Sequence, residues 1–112
     1  MLGETKNMLK VYNKLVRDRI PEIIEADGKT CSTRILNDEE YLRYVDAKLD
    51  EELAEYHKDG SIEELADLLE VIRAAAAARG SSIEEVEAIR VRKAEKRGGF
   101  EKRILLIEVG DR

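Results

Sequence analysis

The chain has 112 residues, which fits a single domain spanning 1–112, and aromatic residues make up only 4% of it. A short chain with so few large side chains buries a modest core, so we expect it to associate with copies of itself. Its formal net charge of −5 disfavours binding to nucleic acid or to an anionic membrane. The single cysteine and the lack of an apolar run of about 20 residues predict a cytoplasmic protein without disulfide, signal peptide or membrane span.

The first predicted elements are a short helix and an extended segment. Pro21, the only proline, suits a first helical turn because its missing N–H has no intrahelical partner there. A helix is therefore predicted over residues 21–26, ended by Asp27 and Gly28. Residues 30–36 (TCSTRIL) favour a short strand or an extended segment.

Three longer helices follow, and each begins after a residue that is typical of a helix N-cap. The helix after Asn37 is predicted over residues 38–58, because its apolar residues recur at steps of three and four. Ser61 begins the next helix, which ends at Gly80, and Ser82 begins the last, which runs to about residue 97.

The last predicted element is a strand over residues 104–109 (ILLIEV), which is apolar, rich in β-branched residues and too short for a helix. Residues 33–36 are its predicted partner. The fold class that follows is mostly α, a helical bundle with a small C-terminal β appendage.

Two pairs of carboxylates occur at helical spacing on either side of the turn at residues 59–60. Glu52 and Glu55 project from one face of the first long helix, and Glu64 and Asp67 repeat the spacing on the next. The turn makes the two helices antiparallel, so the pairs can face each other. Converging carboxylates suit Mg²⁺, which prefers oxygen ligands and is well matched to phosphate chemistry.

Simpler interpretations of the same residues exist. Acidic residues at helical spacing often form only a solvated face. Glu64 lies three residues after Ser61 and could complete a capping box. Glu51 could be only a salt-bridge partner of Lys48.

Basic residues that could bind the phosphates of a substrate lie near both ends of the chain. The preferred candidates are Lys14, Arg17, Lys93 and Arg97. Arginine binds phosphate oxygens with a bidentate fork and lysine acts as a point charge. The pair on the last helix could instead only oppose the helix dipole near its C-terminus.

Residues 51–55 (EELAE) followed by residues 64–67 (ELAD) resemble the EExxE…ExxD signature of the MazG-like, all-α NTP pyrophosphohydrolase superfamily. Residues 12–18 (YNKLVRD) and 96–100 (KRGGF) resemble the small single-domain branch of that superfamily, which is thought to have a house-cleaning role. The resemblance extends from about Val11 to Val109.

The resemblance implies a hydrolase that uses Mg²⁺, or Mn²⁺, to cleave a (d)NTP, noncanonical ones included, to a monophosphate and pyrophosphate. It implies metal ligation by Glu52, Glu55, Glu64 and Asp67, with Glu51 as a further ligand or as the group that orients the attacking water. Glu51 and Glu52 are accordingly the catalytic candidates. The resemblance also implies a homodimer or homotetramer. The eight residues between Glu55 and Glu64 leave little room for a base-reading loop.

Two alternatives stay open at the level of sequence. One is a phosphoribosyl-ATP pyrophosphohydrolase of histidine synthesis, which growth of a deletion strain without histidine would distinguish. The other is a catalytically silent helical module that oligomerises or senses nucleotide. For that module, alanine at Glu52 or Asp67 would leave stability unchanged or raise it.

Overall fold

The computed structural model describes residues 9–111, and in this range the regular structure is entirely helical. The elements are α1 (Ile20–Ala26), α2 (Asp38–Asp59), α3 (Ile62–Ala78) and α4 (Ile83–Arg97). Each lies within two residues of a helix predicted from the sequence, so the mostly α, bundle-like fold is confirmed. None of these helices is both long enough and apolar enough to cross a membrane.

The three long helices begin at the predicted capping residues. Asn37 forms a complete capping box, since its side chain accepts from Glu40 N–H at 2.9 Å and its own N–H donates to the Glu40 carboxylate at 3.3 Å. Ser61 and Ser82 each accept a hydrogen bond from the backbone N–H three residues on, at 3.2 and 3.1 Å. These bonds satisfy donors that a helix N-terminus leaves without an intrahelical partner.

A tight turn brings α3 back along α2. Gly60 adopts a left-handed conformation with φ of +62°, which costs glycine little and which ends α2 after Asp59. The two helices pack against each other as an antiparallel hairpin, and α4 packs less extensively on α3. Val45, Val71 and Ala76 are the buried apolar residues of the described chain, and all three lie on this hairpin.

The described chain is extended rather than compact. Its radius of gyration is 20.5 Å and its principal extents are 82 × 30 × 25 Å. A compact domain of this length has a radius of gyration of about 13 Å. The helices of this chain also leave apolar residues exposed, Leu69 at 57% among them.

The predicted β appendage is absent from the described residues. Neither residues 30–36 nor residues 104–109 form a strand, and the side chains of the second segment are largely exposed, Leu105 at 83% and Ile107 at 85%. A strand is defined by a hydrogen-bonded neighbour, and within the described chain these two segments do not pair. Apolar, β-branched composition predicts extended backbone, but it does not provide the neighbouring strand with which that backbone would form hydrogen bonds.

Candidate metal centre

Three carboxylates from two helices converge beside the turn at Gly60. Glu52 on α2 and Glu64 and Asp67 on α3 each offer an oxygen within 4.8 Å of the other two. Glu64 and Asp67 are one helical turn apart and share a face of α3, which the hairpin turns toward α2. The structure thus brings together three of the four metal ligands predicted from the sequence.

A second group of carboxylates adjoins the first. Glu55, Asp59 and Glu64 also offer oxygens within 4.8 Å of one another, so Glu64 belongs to both groups. Glu55, the fourth predicted ligand, is therefore part of the constellation. Asp59 is a candidate that the sequence analysis treated only as the end of a helix. Its position four residues after Glu55, on the same helix face, was the signal that could have found it.

Glu64 is the most electrostatically unfavourable member of the cluster. Its Oε2 is buried and has no hydrogen-bond partner among the described residues. Desolvation raises the pKa of Glu64, and the neighbouring charges of Asp67 and Glu52 raise that pKa further. The capping bond at this end of α3 uses the backbone N–H of Glu64 and leaves its carboxylate to the cluster. A buried oxygen without a donor, among other carboxylates, fits a hard divalent cation.

Glu51 lies next to this cluster but in a basic environment. Its carboxylate accepts hydrogen bonds from Lys14 Nζ at 2.9 Å and from Lys48 Nζ at 3.3 Å. Partial burial alone would raise the pKa of Glu51, but the Lys14 hydrogen bond and the Lys48 charge outweigh it and lower the pKa. The same hydrogen bond raises the pKa of Lys14. Glu51 therefore stays ionised, and it lies outside both carboxylate groups.

Two cations also contact the carboxylates, Arg17 from another segment and Lys48 from α2 itself. Arg17 donates to Asp67 at 2.8 Å from a segment 50 residues away in sequence. Lys48 is 3.6 Å from Glu52, and its side chain is only 16% exposed. A spacing of three residues predicts the pairing of Lys48 with Glu51. Its spacing of four residues before Glu52 was the signal for this second contact.

The two predicted phosphate contacts on the last helix lie apart from the cluster. Lys93 and Arg97 are exposed on α4, and within residues 9–111 neither forms an ion pair with the carboxylates. The reason is the packing order, because α4 packs on α3 and makes no close contact with α2. Lys14 and Arg17 are the predicted cations that the fold of this chain brings to the site.

A cleft of about 470 Å³ opens beside the cluster. It lies between the segment before α1, α1 itself and the α2–α3 hairpin, and Glu52, Asp67, Lys48 and Arg17 line it. Its size is within the range of about 300–1,000 Å³ that is usual for small-molecule sites. Glu52 and Asp67 are therefore accessible to a ligand of that size.

Comparison with known proteins adds little to this geometry. No protein-family model matches the chain, and no solved structure matches it. One relative is a protein of Mycolicibacterium smegmatis described only as uncharacterized, 62% identical over 42 residues. The matched segment is 38% of this chain and 43% of that protein, so the chain spans less than half the length of its relative.

Proposed function

We propose that the chain is a magnesium-dependent nucleoside triphosphate pyrophosphohydrolase of the MazG-like, all-α type. It hydrolyses a (d)NTP, including noncanonical ones, between the α and β phosphates and releases a monophosphate and pyrophosphate. The observation that carries this proposal is the group formed by Glu52, Glu64 and Asp67, which offer oxygens within 4.8 Å of one another. Within this group, the buried Glu64 Oε2 has no hydrogen-bond partner among the described residues. A divalent cation bound there would relieve the mutual repulsion of the three carboxylates.

The carboxylates divide into metal ligands and a group that acts on water. Glu52, Glu55, Glu64 and Asp67 would hold Mg²⁺, or Mn²⁺, with Asp59 as a further ligand. When bound, such an ion neutralises phosphate charge and lowers the pKa of a coordinated water. Glu51 is kept ionised by Lys14 and Lys48, so it can accept a hydrogen bond from the attacking water and orient it toward the α-phosphorus.

Lys14 and Arg17 are the proposed phosphate-binding residues that lie at the cluster. Their ion pairs with Glu51 and Asp67 involve partly exposed side chains, 41% for Lys14 and 57% for Arg17. Exposed ion pairs contribute about 0–1 kcal/mol, so exchange of a carboxylate partner for a phosphate oxygen costs little. Lys93 and Arg97 remain candidates only if a second copy brings them to the site.

Association is the second part of the proposal. We infer a homodimer or homotetramer in which the apolar segment 104–109 pairs as a strand with another copy, since it has no ladder partner in its own described chain. The free, exposed Cys31 is compatible with the reducing cytoplasm in which we place the protein.

The reaction is tested by measuring pyrophosphate release from a panel of normal and modified (d)NTPs, with Mg²⁺, with Mn²⁺ and with chelator. We expect metal-dependent release by the wild-type protein and its loss in Glu64→Gln. Glu63→Gln is the matched control, because it makes the same change one residue away at an exposed position outside both carboxylate groups. It should retain turnover.

Three outcomes would contradict parts of this proposal. Turnover that survives in Glu64→Gln, or that persists in chelator, would remove the metal centre from the reaction. If the protein bound metal but released pyrophosphate from no triphosphate, phosphoribosyl-ATP would be the next substrate to test. If the protein neither bound metal nor turned over substrate, the alternative of a catalytically silent helical module would be favoured.

A further inference from the structure

The cleft beside the carboxylates has two chemically different ends. On α2, Tyr41, Lys48 and Glu52 all line it. These positions are offset by seven and eleven residues, so they lie on nearly one face of the helix. Eleven residues of α-helix place Tyr41 about 16 Å along the axis from Glu52. Tyr41 therefore lies at the end of the cleft that is remote from the metal cluster.

The wall contributed by α3 changes in the same direction. The α3 lining runs from Asp67 through Glu70 and Val71 to Ala74, so carboxylates lie toward one end of this wall and apolar side chains toward the other. The N-terminal segment and α1 add Leu15, Ile20 and Ile23, together with the charged Asp18 and Arg19. One continuous cleft thus joins a charged end to an apolar end that contains an aromatic ring.

Tyr41 is free to stack on a ligand. It is partly exposed, and among the described residues its ring is not paired with another aromatic ring or a cation. A base stacked on an aromatic ring is held through its π-face and its apolar area, and such contacts are worth a factor of about 10 to 100 in affinity when the ring is removed.

We propose that the apolar end of the cleft is the nucleobase subsite, and that Tyr41 is a specificity-determining residue that stacks on the base. The assignment rests on the proposed function, because the triphosphate must lie at the carboxylate end for the base to reach Tyr41. Lys48 lies between the two ends and is directed toward Glu51 and Glu52, which suits the phosphate side of the nucleotide.

The test separates binding of the base from binding of the phosphates. Calorimetry measures Kd for the four ordinary nucleoside monophosphates and, with Mg²⁺, for inorganic tripolyphosphate, which has no base. KM and kcat for a triphosphate are measured in parallel. The variants are Tyr41→Ala and Tyr41→Phe, with Tyr44→Ala as a control, since Tyr44 is on the same helix and outside the cleft lining.

We expect Tyr41→Ala to raise Kd for monophosphates and KM for the triphosphate about 10- to 100-fold, with a smaller change in kcat. Tripolyphosphate binding should be unchanged. Tyr41→Phe keeps the ring and should restore most of the monophosphate affinity lost in Tyr41→Ala, whereas Tyr44→Ala should behave as wild type. If truncation of Tyr41 impairs folding, Ala74→Leu fills the apolar end instead and should weaken monophosphate binding alone.

Each failure has a different meaning. Wild-type turnover with unchanged monophosphate affinity in folded Tyr41→Ala and Ala74→Leu would overturn the subsite and keep the proposed function. Monophosphate binding that depends on Tyr41, without turnover of any triphosphate, would support the subsite and overturn the reaction. Absence of monophosphate binding and of turnover in the wild-type protein would overturn both.

Discussion

Glu64 connects the two carboxylate groups, and its environment sets how the cluster responds to pH. Burial and neighbouring carboxylates raise its pKa above the ordinary value of 4.5. A group whose pKa is raised in the folded state contributes stability that is fully present below the unfolded pKa and is lost as pH rises through the folded pKa. The metal-free protein therefore carries a repulsive centre at neutral pH.

Glu64→Gln should remove this repulsion. We expect the melting temperature of the metal-free protein to be higher in the variant than in the wild type near neutral pH, and the difference to shrink as pH falls from about 7 to about 4. Added Mg²⁺ or Mn²⁺ should raise the melting temperature of the wild type and not that of the variant. Thermal unfolding with and without metal measures both effects.

The control for this experiment is Glu63→Gln, which removes the same formal charge outside the cluster. If it matched Glu64→Gln in metal-free melting temperature at every pH, the effect would belong to net charge and not to the cluster. A wild-type protein that metal does not stabilise would contradict cation binding at this site.

Of the described helices, α2 has the most complete set of capping hydrogen bonds at its N-terminus. Asn37 and Glu40 form both hydrogen bonds of a capping box. The hydrogen bond from Arg34, assisted by the backbone N–H of Asn37, holds the pKa of Glu40 at about 2. The contribution of an ionised Glu40 is therefore fully present above the ordinary value of 4.5 and is lost progressively as pH falls from there through about 2.

Asn37→Ala removes the side-chain acceptor of this capping box. At any pH well above the two pKa values of Glu40, its effect should therefore be the loss of that one cap. We expect a loss of about 1 kcal/mol in the free energy of unfolding, which lowers the melting temperature by about 4–8 °C in a domain of about 100 residues. Asn37→Asp keeps an acceptor and should stay close to wild type. Chemical unfolding followed by circular dichroism checks both. An unchanged midpoint in the alanine variant would show that α2 begins independently of this cap.

The features predicted from the sequence are the ones that local chemistry determines. Asn37, Ser61 and Ser82 begin helices through bonds to residues three positions on, and the facing of Glu52 and Asp67 follows from helical spacing and a short turn. The predicted strand at 104–109 failed because a ladder requires a distant partner. From the sequence, Arg17 and Asp67 can be assigned to the same site. Their ion pair cannot be predicted, because it depends on how residues 50 positions apart meet in the fold.

At the scale of the molecule, large apolar side chains are exposed both on the helices and on the C-terminal segment of the described chain. Leu69 is 57% exposed, and the C-terminal segment 104–109 extends away from regular structure with its large apolar side chains 74–85% exposed. Stable protein interfaces bury about 800 Å² on each partner. Exposed apolar surface of this kind is suited to association, and it supports our proposal that the functional unit contains more than one copy.

If segment 104–109 pairs as a strand with another copy, its two faces should differ in their effect on assembly, because successive side chains of a strand point to opposite faces. The test compares two double variants. One combines Leu105→Ser and Ile107→Ser on one face, and the other combines Ile104→Ser and Leu106→Ser on the opposite face. One of them should dissociate the assembly in sedimentation equilibrium while the other assembles nearly as wild type. Equal dissociation would indicate association without a strand register, and assembly unaffected by either variant would place the interface on the helices.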